Sequence, residues 1–77
     1  MPANEEEKSI VKVITLIGQS PNGFAEAADN AVRRAQKTIR NISGVDVISM
    51  SATVKDNPGG IQDYRTTVNV AFVLEGP

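Results

Sequence analysis

Acid–base or metal chemistry in this chain must rest on carboxylates, hydroxyls and cations, because the 77 residues include no histidine and no cysteine. Histidine is the commonest general base and transition-metal ligand, and cysteine would supply a disulfide framework or a thiolate zinc site. None of the candidate serine nucleophiles stands beside a recognisable base, and each suits a turn or a strand: Ser20, Ser43, Ser49 and Ser51. We therefore expect a protein that is not an enzyme.

Oxygen ligands in the C-terminal half form a second chemically capable group. Asp56 and Asn57 lie in a turn-rich stretch, Asp63 follows it, and Asp46 lies further upstream. Calcium binds several such oxygens, often from more than one carboxylate. No spacing here resembles an EF-hand, and each of these side chains equally suits a solvated loop. A weak calcium site and a solvated loop are thus the two interpretations of this group.

Charge and length limit the other classes of partner. The net charge of -1 argues against nucleic acid, which requires a basic patch, and no apolar run is long enough to span a membrane. Residues 1–8, "MPANEEEK", are polar and acidic, so we predict a flexible arm followed by a single domain over residues 9–77. We expect a cytoplasmic protein. A chain this short buries little surface on folding and is only marginally stable alone. Without cysteines for disulfides, oligomerisation is the expected source of additional stability.

The elements that must position these residues begin with a strand. "IVKVITLIG", residues 10–18, is β-branched and ends at Gly18. Only Lys12 and Thr15 interrupt its apolar character, so both faces of this strand are expected to be covered.

A helix follows the turn "QSPNG". Ser20 before Pro21 suits a helix cap, and Asn22 is the alternative cap. Acidic residues come early in the segment and basic residues late, which complements the helix dipole. The predicted helix continues to about Ile42, with one face formed by Phe24, Ala27, Ala28, Ala31, Val32, Ala35, Ile39 and Ile42.

Two alternating segments complete the pattern. Residues 45–55 place Ile48, Met50, Ala52 and Val54 on one face and Val47, Ser49, Ser51 and Thr53 on the other. Residues 64–74 place Tyr64, Thr66, Val68, Val70, Phe72 and Leu74 in one apolar row. The stretch between them contains Asn57 before Pro58 and the pair Gly59-Gly60, which predicts a loop. We expect Val70 and Phe72 to pack against the alanine face of the helix.

The order strand, helix, strand, strand predicts an α+β fold. A helical crossover places strands one and two parallel, and the hairpin connects strands two and three. Strand three between them gives an antiparallel three-stranded sheet of order 1-3-2 packed on one helix. The second sheet face carries apolar residues without a helix to cover it, which predicts an oligomer.

The ordered set of these motifs resembles the dodecins. "KVITLIGQSPNGFAEAADNAVRRAQKTIRNI" is similar to the family's opening, with its strand-Gly-x-Ser-Pro turn and alanine-rich helix, and "YRTTVNVAFVLEG" to its last strand. The resemblance runs from about residue 9 to residue 76. It implies a β-α-β-β protomer in a hollow homododecamer. It also implies flavin held between protomers for storage rather than catalysis.

The resemblance also implies where a flavin would bind, at Gly44, Val45, Asp46, Arg65 and Thr67. In flavin-binding dodecins a tryptophan that stacks on the isoalloxazine follows the helix, and an ungapped alignment puts Gly44 there. A glutamine after the last strand's tyrosine hydrogen-bonds the ring, and that position is Arg65. Gly44 cannot stack on the ring, and stacking contributes roughly 1–3 kcal/mol per ring in nucleic-acid systems. Because Arg65 also replaces the glutamine, the two changes together predict an altered flavin site. Some dodecins that lack the tryptophan resemble this chain and are linked to calcium.

Each changed position has two interpretations. Gly44 is either a helix-terminating glycine with positive φ or the ligand position with its ring removed. Arg65 is either a surface side chain paired with a carboxylate such as Asp46 of a neighbouring chain, or a contact for an anion. An anion contact would suit FMN or coenzyme A, both associated with dodecins, better than riboflavin. The open alternatives are therefore flavin storage at an altered site and a calcium-binding or purely structural assembly.

Overall fold

One helix lies across a three-stranded antiparallel sheet in the computed structural model, which describes residues 10–74. The elements are β1 (Val11–Ser20), α1 (Phe24–Gln36), β2 (Ile42–Val54) and β3 (Ile61–Val73). The predicted α+β class and β-α-β-β order are confirmed. The predicted arm, residues 1–8, lies outside the described residues.

Strand β3 lies in the centre of the sheet, between β1 and β2. It pairs with β1 from Val11↔Val73 to Ser20↔Tyr64 without interruption. Its pairing with β2 is also antiparallel but contains three register shifts. The predicted strand order 1-3-2 is confirmed, and β1 and β2 are both edge strands within the described protomer.

The core lies between the alanine face of α1 and the centre of β3. Val68 and Val70 are fully buried against Ala31 and Ala35. Half-buried residues of the neighbouring elements complete the cluster: Ile14, Leu16, Ala28, Ile39 and Ile42. Because alanine adds only a methyl group to the helix surface, α1 can lie close to the sheet.

Gly18 marks the closest approach of helix and sheet. A Cβ atom built on this glycine would stand 1.8 Å from the backbone oxygen of Ala27 and 3.1 Å from the Cβ of Ala31. No side chain fits at such a distance, so glycine is required here by packing and not by its backbone angles. Strand β1 accordingly continues past Gly18 to Ser20, two residues beyond the predicted end.

The predicted helix boundaries are wrong at both ends. Gly23 is the N-cap, and α1 ends at Gln36 with Lys37 as its C-cap. The chain then turns through Asn41, whose φ of 66° is left-handed, a conformation that asparagine tolerates better than most residues. Ile42 therefore begins β2 instead of ending the helix, although its side chain still packs on the core.

Ser20 and Asn22 support the start of α1 through a side-chain network and not as caps. The buried Ser20 hydroxyl donates to Glu26 Oε2 at 2.6 Å and accepts from the Asn22 backbone N–H at 3.0 Å. Asn22 Nδ2 donates to the same carboxylate oxygen at 2.6 Å. The hydrogen bond from Ser20 and, to a smaller extent, that from Asn22 lower the pKa of Glu26, because donors stabilise the charged carboxylate.

A β-bulge changes the predicted faces of β2. Val47 pairs with Val68 and Ser49 with Thr67, which leaves Ile48 unpaired between them. Val47 therefore lies on the helix side with Met50 and Ala52, whereas it was predicted on the opposite side. The alternation predicted from the sequence is correct only after the bulge.

Phe72 lies at the margin of the core. Val70 is fully buried as predicted, but Phe72 is only half-buried and pairs with Lys12 and Ile42 in the sheet. A helix of 13 residues is roughly 20 Å long, which covers about six residues of a strand. The short α1 covers β3 from Thr66 to Val70 and leaves Phe72 beyond its end.

We predict that Gly18→Ala destabilises the protein by on the order of 3 kcal/mol or prevents folding, because the new methyl group overlaps the backbone of α1. Gly44→Ala is the matched control, since a Cβ atom there meets nothing within 4 Å. Chemical denaturation of both variants measures the difference. Equal midpoints for Gly18→Ala and the parent would contradict the close packing of α1 on β1.

We predict that Glu26→Gln weakens the dependence of the melting temperature on acidic pH. A carboxyl whose folded pKa is lowered stabilises the fold at neutral pH, and this contribution is lost as the pH falls through that pKa. Melting curves between neutral and strongly acidic pH measure the slope. Asp56→Asn removes an exposed loop carboxylate and should keep the parent slope; equal slopes for the parent and Glu26→Gln would refute the role of Glu26.

Candidate ligand-binding face

The sheet face turned away from α1, here called the outer face, is formed by in-register residues of all three strands. Directly paired residues in an antiparallel ladder point to the same side of the sheet. Because Val68 and Val70 point to the core, the residues that alternate with them on β3 point outward. The four rows across the outer face, numbered from one to four, are Val13–Ala71–Gly44, Thr15–Asn69–Asp46, Ile17–Thr67–Ser49 and Gln19–Arg65–Ser51.

The first row is small and apolar. Val13 is 52% exposed, Ala71 is half-buried, and Gly44 adds no side chain at all. A Cβ atom on Gly44 would meet nothing within 4 Å. These three residues form a flat surface on which a planar ring system can lie.

The second row supplies hydrogen-bonding groups beside that flat surface. Thr15 Oγ1 donates to Asn69 Oδ1 at 2.6 Å, which orients the amide so that its NH₂ group is directed away from Thr15. Asp46 on β2 pairs with Asn69 and is exposed. The row thus offers an amide donor and a carboxylate acceptor next to each other.

The fourth row contains a cation held by an amide. Arg65 Nε donates to Gln19 Oε1 at 2.9 Å, and Ser51 pairs with Arg65 from the other side. All three residues are exposed. Gln19 was not among the site residues predicted from the sequence. Its contact with Arg65 could not be predicted, because the register between β1 and β3 is not evident from the sequence.

The outer face brings together four of the five positions that the family resemblance implied. Gly44, Asp46, Thr67 and Arg65 lie on it in successive rows, whereas Val45 pairs with Val70 and points to the helix side. Gly44 pairs with Ala71, and Ala71 is six positions from Arg65 along β3, which is roughly 20 Å. A single ring system on one protomer therefore cannot contact both of them.

Gly44 is not a helix-terminating glycine. It lies inside β2, seven residues after the C-cap of α1, and its φ is outside the left-handed region that Gly59 and Gly60 occupy. The register shift between Ile42 and Gly44 is the local irregularity. The interpretation of Gly44 as a helix end is wrong, and a residue with a side chain can adopt its backbone conformation.

The oxygen ligands considered for calcium do not converge within one protomer. Asp56 and Asn57 lie in the β2–β3 loop, which contains a cis Asn57-Pro58 bond, whereas Asp63 lies within β3 opposite Thr53. Over residues 10–74, no group of three or more His, Cys, Asp or Glu side chains is arranged to hold a metal ion. These carboxylates therefore do not form a calcium site among themselves within the described part of one protomer.

A groove between α1 and the edge strand β1 lies on the other side of the sheet. It comprises two shallow apolar depressions of about 240 and 320 Å³, both bordered by Leu16 and Arg34. No residue predicted for ligand binding borders it.

Exposed apolar side chains are concentrated on the edge strands. On β1, Val11, Val13 and Ile17 are 49–65% exposed, and on β2, Val47, Ile48 and Met50 are 54–59% exposed. Surfaces of this kind on a small protein mark an interface. In the described part of the chain, no helix is long and apolar enough to cross a membrane.

Comparison with known proteins agrees with this architecture. A family model described as Dodecin matches residues 10–75. The chain belongs to the dodecin family. Dodecins assemble as oligomers, in agreement with the apolar surfaces on both edge strands.

Two curated dodecins align with nearly the whole chain. The dodecin of Thermus thermophilus is 30% identical over 66 residues, which is 86% of this chain and 93% of that protein. The calcium dodecin of Mycobacterium tuberculosis is 39% identical over 66 residues, 86% of this chain and 90% of that protein.

Solved dodecin structures share the fold. A Thermus thermophilus crystal structure has a TM-score of 0.82 at 29% identity and covers 88% of this chain and 97% of its own. The Streptomyces coelicolor dodecin has a TM-score of 0.82 at 28% identity, with coverages of 88% and 94%. The crystal structure of the Mycobacterium tuberculosis calcium dodecin, described as having a novel calcium-binding site, has a TM-score of 0.73 at 37% identity, with coverages of 90% and 99%.

Proposed function

We propose that this dodecin is a cytoplasmic, non-enzymatic homododecamer that binds and stores a flavin on its outer faces, between protomers. The observation that carries this proposal is the adjacency of the first two rows: a flat apolar surface beside a row with an oriented amide and a carboxylate. The absence of histidine and cysteine supports binding rather than catalysis.

The isoalloxazine ring of a flavin matches these two rows chemically. It is planar, with a methylated apolar edge and a pyrimidine edge that carries one N–H donor and two carbonyl acceptors. The first row can contact the apolar part of the ring. In the second row, Asp46 can accept from the N–H group while the Asn69 amide donates to a carbonyl.

The predicted affinity is lower than that of a dodecin with a stacking ring. The three aromatic residues of this chain are Phe24, Tyr64 and Phe72, and none is in the four rows of the outer face. Phe24 and Tyr64 contact each other edge to face, with centroids 4.9 Å apart, and are already engaged. Without an aromatic platform, ring binding lacks roughly 1–3 kcal/mol per stacked face.

Assembly supplies the second side of the site in this proposal. One exposed sheet face covers only one side of a planar ring, and ligand sites normally enclose most of the ligand surface. Two protomers with facing outer surfaces would enclose the ring and cover the exposed apolar residues of β1 together.

Calcium binding is the second candidate, favoured by the 39% identity to the Mycobacterium tuberculosis calcium dodecin. Calcium binds six to eight oxygen ligands, and one protomer does not bring three candidate side chains together over residues 10–74. Asp46, Asp56 or Asp63 from neighbouring protomers would have to combine. The flavin proposal needs no such combination for its polar contacts.

We predict that the protein assembles into a dodecamer at micromolar concentration, because the exposed apolar side chains of β1 and β2 are costly to leave in water. Light scattering coupled to size exclusion should give a mass of roughly twelve 8.2 kDa chains. A monomer or a dimer would contradict this assembly.

We predict that Gly44→Trp increases riboflavin affinity by about tenfold or more, because an indole ring replaces water on the ring face. We expect no strain from the substitution, because the space around Gly44 is open and its φ lies outside the left-handed region. Titration of riboflavin fluorescence measures the affinity. Val54→Trp, at an exposed position distant from the first two rows, is the matched control.

The same preparations separate the two candidate functions. If Gly44→Trp remains a dodecamer and binds riboflavin no more tightly than the parent or Val54→Trp, the first row does not contact the ring. Calorimetric titration with Ca²⁺ forms the second arm. Calcium binding that Asp56→Asn or Asp63→Asn removes, together with no riboflavin binding, would replace the flavin proposal with the calcium one.

A further inference from the structure

Four exposed cations gather at one end of the protomer, here called the basic end, namely Lys12, Arg34, Lys37 and Arg40. The acidic arm, residues 1–8, contains three consecutive glutamates at positions 5–7. We propose that these glutamates bind the basic end of their own protomer and neutralise part of its charge. This contact does not depend on whether the outer face binds a flavin or calcium.

The backbone places the end of α1 beside the beginning of β1. One depression of the α1–β1 groove is bordered by both Ile14 on β1 and Ile39 after the helix. Further along, the backbone N–H of Val73 donates to the Asn41 carbonyl at 3.0 Å, and Val73 pairs with Val11. The segment that joins α1 to β2 therefore runs near the first residues of β1.

This arrangement brings the four cations to the same end. Arg34 and Lys37 are three positions apart at the end of α1, which makes them neighbours on the helix surface. Arg40 lies in the segment that follows, and Lys12 shares the helix side of β1 with Ile14 of the core cluster. The helix dipole favours cations at the end of α1, but Lys12 and Arg40 lie outside the helix. An anion at this end would relieve the repulsion between these like charges.

No carboxylate of residues 10–74 lies at the basic end. Glu26 and Asp29 belong to the first half of α1, and the other acidic residues are in the sheet and the β2–β3 loop: Asp46, Asp56 and Asp63. Over the same residues, the one salt bridge joins Asp29 to Arg33 and involves none of the four cations. The positive charge of the basic end is therefore uncompensated within this part of the chain.

The acidic arm enters the described structure at this same end, immediately before β1. Glu7 and Glu5 precede Ile10 by three and five residues, so an extended chain carries them at most about 10 and 17 Å from it. Lys55 lies at the opposite end of the sheet. It is bonded to Gly60, whereas Ile10 is bonded to Leu74, and 14 residues of β3 correspond to roughly 45 Å. The arm can thus reach the basic end but not Lys55.

The arm is also the more acidic of the two segments that emerge here. Residues 5–8 contain three glutamates and one lysine, whereas residues 75–77 contain a single glutamate. Exposed ion pairs are individually weak and are screened by salt. A short covalent tether holds several carboxylates near the cations at an effective concentration on the order of millimolar, which favours their binding as a group.

Zero-length carbodiimide cross-linking of the assembled protein tests the contact, because it joins a carboxylate to an amine only where the two groups touch. Peptide mapping by mass spectrometry at low salt should show links from residues 5–7 to Lys37 and none to Lys55. These links should be lost at high salt. Absence of a link to Lys37 at low salt overturns the inference, as does a link to Lys37 from Glu75 in place of the arm.

Isotope mixing distinguishes the arm of the same protomer from that of a neighbour. Protein assembled from equal amounts of ¹⁵N-labelled and unlabelled chains should give cross-linked peptide pairs in which both peptides carry the same label. Pairs with one labelled and one unlabelled peptide, in about half of the product, would assign the contact to a neighbouring chain and overturn the inference.

Heparin, a polyanion without apolar groups, measures how far the arm covers the basic end. Glu6→Gln combined with Glu7→Gln should bind heparin several-fold more tightly than the parent, because cations of the basic end become available to it. Asp56→Asn combined with Asp63→Asn makes the same change in net charge at the hairpin and is the matched control. It should stay close to the parent.

A further pair of substitutions locates the gained heparin binding. Adding Lys37→Gln and Arg40→Gln to the arm variant should return heparin affinity to the parent value or below it. An equal gain in the arm variant and the hairpin control overturns the inference, because net charge then explains both. A gain that persists without Lys37 and Arg40 also overturns it, because the arm would then cover a different surface.

Discussion

The contact between the backbone of α1 at Ala27 and the bare Cα of Gly18 determines the distance between helix and sheet. With only 13 residues in the helix and alanines on its inner face, the core contains few large side chains, and van der Waals contact at short range compensates for their small area. The same contact places α1 over the β1 and β3 side of the sheet and leaves most of β2 uncovered. The exposure of Val47 and Met50 on the helix side of β2 follows from this placement.

The two faces of the sheet consequently have separate roles. The helix side contains the core that stabilises the protomer, while the outer face can combine polar and apolar rows because no helix packs there. In such an arrangement, residues of the outer face can change without loss of the fold. A glycine and an arginine lie on this face at two positions where the dodecin resemblance implies a tryptophan and a glutamine.

Much of this architecture could be predicted from the sequence, because it depends on local periodicity and chain order. The element order, the strand order and the outward position of Arg65 and Thr67 follow from alternation and connectivity, whereas unbroken alternation would put Gly44 and Asp46 on the same face as Met50, which is the helix side. The end of the helix could not be predicted, since Asn41 provides the left-handed turn that was attributed to Gly44. The bulge at Ile48 inverts the alternation of half a strand and depends on pairing with β3. Gln19 was missed for the same reason: its partner is 46 positions away in the chain.

The β2–β3 hairpin extends well beyond the helix, and near its loop Val54 and Ile61 are 68% and 45% exposed. This part of the protein has no interior of its own, so its side chains can be removed from water only by a neighbouring protomer. Folding and association are then a single thermodynamic process for the hairpin, governed by mass action. Dilution would weaken the hairpin before the helix-covered core, so the stability of the hairpin would depend on protein concentration.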